Sequence, residues 1–181
     1  EANPGSLTTE YLRGLRDIGF NRLSIGVQSF DDEELISLDR IHTGDEARAA
    51  YASAREAGFT SINLDLIYGL SEQPLSKWQS SLEQALALEP DHLSLYALTV
   101  EEGTPLARDV ARGRTPAPDP DEQATHYEYT QERLARAGYE HYEISNWARP
   151  GHRCRHNLIY WSHQEYLGLG AGAHSYLNGA R

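Results

Sequence analysis

Ser61-Ile-Asn-Leu-Asp-Leu-Ile-Tyr68 is the stretch that decides the fold. Ile62, Leu64 and Leu66 alternate with Asn63 and Asp65, the period-two pattern of a strand with one apolar and one polar face. Leu23-Ser-Ile-Gly-Val27 repeats it, setting Leu23, Ile25 and Val27 against Ser24, Gly26 and Gln28. Working outward, each strand follows a helix and a turn. Leu12, Leu15 and Ile18 at helical spacing, stopped by Gly19, precede the first; Thr43 and Glu46 at capping-box spacing open an Ala-rich helix to Ala57, ended by Gly58. Pro74 to Leu88 reads as a helix with Trp78, Leu82, Ala85 and Leu86 on one side, and Pro90 separates it from a strand at His92 to Thr99. Thr104 and Pro105 start a shorter helix, and the proline spacing of Arg114 to Pro120 makes an extended connector. Asp119 caps a helix over Pro120 to Ala137, Gly138 ends it, and Tyr142-Glu-Ile-Ser145 reads as the last strand.

Four such units with short loops predict an α/β fold of parallel strands and crossover helices. A doubly wound sheet needs apolar residues on both strand faces, whereas polar inner faces suit a barrel whose lumen holds a ligand. Asn63 and Asp65 are then either ligand-facing groups or hydrogen-bonded core polars.

The chain has 181 residues and a formal charge of −11, from 16 Lys and Arg against 27 Asp and Glu. Scattered bases on an acidic chain exclude nucleic-acid binding by a general basic surface. The longest largely apolar run, Leu64 to Leu70, is far shorter than the ~20 residues of a spanning helix. Cys154 is the one cysteine, so an intrachain disulfide is excluded and a reducing, cytoplasmic setting is expected. There is no methionine, even at position 1, and we expect an internal segment of a longer protein.

Glu1, Gln28, Arg40 and Asp65 fall at, or just after, the C-terminal ends of the inferred strands. Together they suit a zwitterion and a sugar: arginine takes a carboxylate, carboxylates take an ammonium, and Gln or Asp takes vicinal hydroxyls. A second cluster places His152, His156, His163 and His174 within 23 residues, around Cys154. Zinc wants four ligands at regular spacing, which a lone cysteine and a Cys-x-His step do not offer. One imidazole among aromatic walls suits a haem iron; loop histidines facing solvent, with Tyr160 and Trp161 as loop anchors, are the alternative. Arg153 and Arg155 favour a Cys154 thiolate, but no general base is identifiable beside it. Gly168, Gly170 and Gly172 fall short of a dinucleotide fingerprint and permit either close approach to a ligand or tight packing. A phosphate-binding glycine loop opening a helix is not evident, which disfavours an enzyme of phosphorylated metabolites.

Glu1-Ala-Asn-Pro-Gly5, Asn21-Arg-Leu-Ser-Ile-Gly-Val-Gln-Ser-Phe30, Arg40-Ile-His42, Asn63-Leu-Asp-Leu-Ile-Tyr-Gly-Leu70 and His156-Asn-Leu-Ile-Tyr-Trp161 together resemble the HemW family. These are radical S-adenosylmethionine (radical SAM) proteins related to oxygen-independent coproporphyrinogen III oxidase and regarded as haem chaperones. The resemblance runs along essentially the whole chain. Its Gln-Ser-Phe and His-Asn-x-x-Tyr-Trp forms favour the chaperone side. It implies a fragment of a partial (β/α)6 TIM-like barrel over residues 1–145, with 146–181 as a post-barrel segment leading to a further domain. It implies that Glu1, Gln28, Arg40 and Asp65, with Thr99 and His174, contact S-adenosylmethionine. His156 is the implied haem-iron ligand, with Asn157, Tyr160 and Trp161 shaping that pocket. The family's C-x3-C-x2-C loop, which binds a 4Fe-4S cluster, and its Gly-rich segment are expected ahead of Glu1, so this fragment alone should be inactive. The implied partners are haem and an acceptor such as a respiratory haemoprotein, the sole route to membrane contact, with oxidative decarboxylation of coproporphyrinogen III as the alternative activity.

Overall fold

The computed structural model describes residues 1–170 and 173–179. Its centre is a five-stranded sheet in the order β1-β2-β3-β5-β4. β1 (Leu23–Gln28), β2 (Ile62–Tyr68) and β3 (His92–Ala97) run parallel, and Ala2 extends the free edge of β1 through a bridge to Ile25. The register sorts the central rows of the sheet by chemistry. Ile25, Leu64, Leu93 and Trp147 form an apolar row, and Ser24, Asn63 and His92 form a polar one. The next polar row is Gly26, Asp65, Ser94 and Asn146. Strand alternation therefore separates the core from a polar inner face, as the sequence predicts.

The apolar face is covered by helices that start and stop where side-chain chemistry dictates. α1 (Thr9–Asp17) is capped by Thr8, and α3 (Gly44–Glu56) has both halves of the Thr43–Glu46 capping box. α4 (Leu75–Ala87), α5 (Pro105–Ala111) and α6 (Pro120–Arg136) follow, the last two capped by Thr104 and Asp119. Trp78 of α4 is fully buried and donates its Nε1–H to Thr130 Oγ1 of α6 at 2.8 Å, pinning those helices together over Leu82 and Leu134.

Two expectations are corrected. The fourth strand is not parallel: Tyr142 to Ser145 divides between β4 (Glu140–Glu143) and a tight turn into β5 (Asn146–Ala148), which is antiparallel to both β3 and β4. A two-residue link can only return the chain alongside itself. Residue 145 lies in the turn of this hairpin, and β5 is buried in the sheet. Two short helices also escaped the periodicity reading: α2 (Asp32–Ser37), capped by Asp31, and α7 (Arg155–Trp161). Each spans under two turns, too short to show a periodic stripe. Among the described residues no helix is long and apolar enough to cross a membrane.

Candidate functional site

The polar rows are joined into one buried network. Asn63 donates Nδ2–H to Asp65 Oδ1 at 2.7 Å and to Ser24 Oγ at 2.6 Å, and Ser24 in turn donates to Asp65 Oδ2 at 2.9 Å. Asn63 Oδ1 faces His92 Nδ1 at 2.6 Å and accepts from Ser94 at 3.1 Å, while Ser94 also lies 2.7 Å from Asn146 Oδ1. His92 Nε2 is 2.6 Å from the Tyr142 hydroxyl, which lies 3.2 Å from Asn157 Nδ2 and 3.3 Å from the Cys154 amide nitrogen. The amides of Asn157 and Cys154 can only donate there, so the tyrosine hydrogen goes to His92 Nε2 and His92 carries its own proton on Nδ1. Burial, with help from Arg22 and His152, pushes the imidazole down to about 3, which keeps it neutral. Burial raises the Asp65 carboxyl, against the lowering effect of its Ser24, Asn63 and Ser94 partners and of Arg22. Burial likewise raises Tyr142, so it remains a donor. Asn63 and Asp65 are thus hydrogen-bonded inner-face polars, whatever else they bind.

The other expected cofactor residues take no part in these hydrogen bonds. Gln28 ends β1 with φ +66°, closing a three-residue turn in which the Ser29 amide donates to Val27 O at 2.9 Å. Left-handed backbone at a glutamine is strained, and the side chain folds back so that a Cβ on Gly26 would lie 2.8 Å from Gln28 Nε2. A buried brace supports this turn: Ser29 donates to Glu34 Oε2 at 2.6 Å, and Gln73 donates to Glu34 Oε1 at 2.9 Å. Arg40 is half-buried, its Nε enclosed and without a partner among the described residues. Glu1, Thr99 and His174 are exposed, Thr99 Oγ1 lying 3.5 Å from Ala97 O. Asp65 corrects an expectation: it sits mid-strand, opposite Gly26 and Ser94, rather than at the rim. Sequence reasoning missed His92, Ser94, Tyr142 and Asn146; the first two share the alternation that singled out Asn63, and the other two come from the hairpin. A cavity of about 830 Å³ between α2, the loop after β2 and α5 is lined by none of the expected binding residues.

The second region is the C-terminal segment. His156 is exposed on α7 and meets the rings of Tyr160 and Tyr166 edge-on, at centroid distances of 4.7 and 5.1 Å. Tyr160 and Trp161 are 44% and 59% exposed. Asn157 turns the other way, toward Tyr142 and the inner network. Tyr166, not foreseen, is held by a bridge to Tyr176. Cys154 is buried at the helix start, which shields its thiol. The histidines scatter: His152 lies 3.8 Å from Asp91, and no group of three or more His, Cys, Asp or Glu among the described residues is arranged to hold a metal ion. A Cβ on Gly168 would run into the His174 carbonyl oxygen, so this glycine serves close packing of chain on chain; Gly172 lies outside the described residues.

By their chemistry, the Arg40 guanidinium, unpartnered at Nε among the described residues, suits a carboxylate, and the Asp65 carboxylate, across from the Gly26 over which Gln28 folds, suits hydroxyl groups. His156 fits a single axial bond to haem iron. One buried cysteine does not fit a cluster that needs three thiolates.

Residues 1–85 match the radical SAM superfamily. The heme chaperone HemW of Mycobacterium tuberculosis (strain ATCC 25618 / H37Rv) is 46% identical over all 181 residues, which cover 46% of that protein. The heme chaperone HemW of Bacillus subtilis (strain 168) is 41% identical over the whole chain, covering 48% of it. The chain thus spans about half the length of the curated relatives it matches. Among solved structures, coproporphyrinogen III oxidase (HemN) from Escherichia coli, a radical SAM enzyme, superposes with a TM-score of 0.77 at 28% identity, over 96% of this chain and 43% of that one.

Proposed function

We propose that this chain is a HemW-type radical SAM protein, forming the cofactor-side barrel and the haem-holding segment of a cytoplasmic haem chaperone. The observation that carries the reading is His156, an exposed imidazole walled by Tyr160 and Tyr166, in a chain whose relatives are heme chaperones. Its free nitrogen is open to a haem iron, while Tyr160 and Trp161 offer partly exposed rings to a flat macrocycle. Exposure suits a cargo that must leave again for an acceptor.

On the cofactor side, Arg40 takes the carboxylate of S-adenosylmethionine and Glu1 its ammonium, with Gln28 and Asp65 receiving the ribose hydroxyls and Thr99 and His174 flanking them. S-adenosylmethionine on a 4Fe-4S cluster supplies reductive radical chemistry when bound; the cluster's thiolates are not among this chain's residues. Asn63 and Ser24 hold Asp65 in place by donating to both of its oxygens.

Haemin titration of the full-length protein by absorbance tests the reading. We expect saturable one-to-one binding that His156→Ala weakens tenfold or more, about 1.4 kcal/mol, with S-adenosylmethionine affinity unchanged. No specific haem binding would remove the chaperone reading. The likeness to the E. coli oxidase favours a second one, decarboxylation of coproporphyrinogen III, which anaerobic product assay would then decide.

A further inference from the structure

The buried hydrogen bonds form a chain with one direction. Asn157 Nδ2–H donates to Tyr142, Tyr142 O–H to His92 Nε2, His92 Nδ1–H to Asn63 Oδ1, and Asn63 Nδ2–H to Asp65 Oδ1, over distances of 3.2, 2.6, 2.6 and 2.7 Å. Both ends impose that direction. The Cys154 amide can only donate to Tyr142, and a carboxylate can only accept from Asn63. One end lies in the first turn of the helix that carries His156, and the other is the carboxylate at the centre of the inner face.

We propose that Tyr142 is a positioning residue that makes the two binding regions mutually dependent: it accepts from Cys154 and Asn157 at the start of α7 and passes that hold through His92 and Asn63 to Asp65. The inference rests on the reading that Asp65 faces S-adenosylmethionine and that His156 holds haem. Donors aligned toward one anion polarise each other, so the hold on α7 is firmest when the Asp65 charge is directed at Asn63 and Ser24. Ligand hydroxyls donating to the same carboxylate divide that charge, weaken each link back along the chain and loosen the start of α7. Filling the inner site therefore lowers haem affinity. By linkage, haem lowers affinity at the inner site by the same factor. A chaperone gains from this a device for releasing cargo. A merely structural tyrosine would leave the two affinities independent.

The test is haemin affinity of the full-length, cluster-loaded protein with and without saturating S-adenosylmethionine, in wild type, Tyr142→Phe and Tyr129→Phe. Wild type should bind haemin about fivefold more weakly when S-adenosylmethionine is present. Tyr142→Phe keeps the ring, its edge contact with His92 at 5.5 Å and the Arg153 guanidinium over its face, but removes the link; its two haemin affinities should agree within about twofold. Tyr129→Phe, which removes a tyrosine hydroxyl that bonds Glu83 on the helical side, outside the chain, should retain the wild-type difference. Equal or tighter haemin binding by wild type in the presence of S-adenosylmethionine overturns the coupling even if Tyr142→Phe does not fold. So does a Tyr142→Phe protein that keeps the full difference. Wild-type protein that binds no haemin at all removes the chaperone reading itself, and the coupling with it.

Discussion

The inner face of the sheet and the His156 helix carry similar chemistry, imidazoles and tyrosine hydroxyls, in opposite settings. His92 is fully buried with both ring nitrogens bonded, its tautomer dictated and its proton affinity driven down. His156 touches rings edge-on and leaves its nitrogens to solvent or ligand. The difference teaches that an imidazole's role follows from its neighbours. A buried ring acts as a rigid relay that stays neutral, and an exposed ring is available to bind and let go.

The contrast is easiest to break at Asn63, where His92, Ser94, Ser24 and Asp65 converge. Asn63→Leu should cost about 3 kcal/mol in urea unfolding, because it leaves several buried polar groups without partners. A loss below about 1 kcal/mol would mean that water or rearrangement replaces the network.

The pH dependence sharpens it. Because the His92 pKa is about 3 in the fold, against an unfolded value near 6.5, the unfolded chain binds the extra proton between those values. Stability from neutral His92 is therefore complete above pH 6.5 and declines as the pH falls toward 3, at about 1.4 kcal/mol per pH unit. Asp65, whose carboxyl is raised by burial, has the opposite sign: its proton is held more tightly in the fold, so its contribution favours folding at low pH. Subtracting the unfolding curve of His92→Gln from that of wild type isolates the histidine slope. A flat difference between pH 6.5 and 5 would show that His92 titrates normally.

Gln28 separates stability from binding. Gln28→Gly relieves left-handed backbone at φ +66° and should raise stability by about 1 kcal/mol while weakening S-adenosylmethionine binding. A variant that loses stability would show that the side chain's packing over Gly26 outweighs the strain. The smallest effect is expected at the other region: Trp161→Ala should change folding stability by no more than about 0.5 kcal/mol, since the ring is 59% exposed, and its effect should appear in haemin affinity.

Much of the framework was legible in the residues. Period-two alternation at Ile62 to Tyr68 foretold the two faces of β2, and Thr43, Thr104 and Asp119 marked helix starts that the structure places one residue later. The site was legible in kind more than in assembly. Asn63 and Asp65 stood out because polar residues interrupt an apolar strand. His92 and Tyr142 did not, because what joins them is a bond across 50 residues of chain. Asn157 reads as a neighbour of His156 in sequence, yet successive residues on a helix point about 100° apart, and this one faces inward.

By itself, then, the sequence determined the strand alternation, the caps and the glycine stops, because these depend on steric and hydrogen-bonding preferences within a few residues of one another. The tertiary structure alone decided that β5 returns antiparallel between β3 and β4, that Asp65 sits mid-strand, and that His92 is neutral with its proton on Nδ1. Those outcomes depend on register, burial and partners brought together across the sheet.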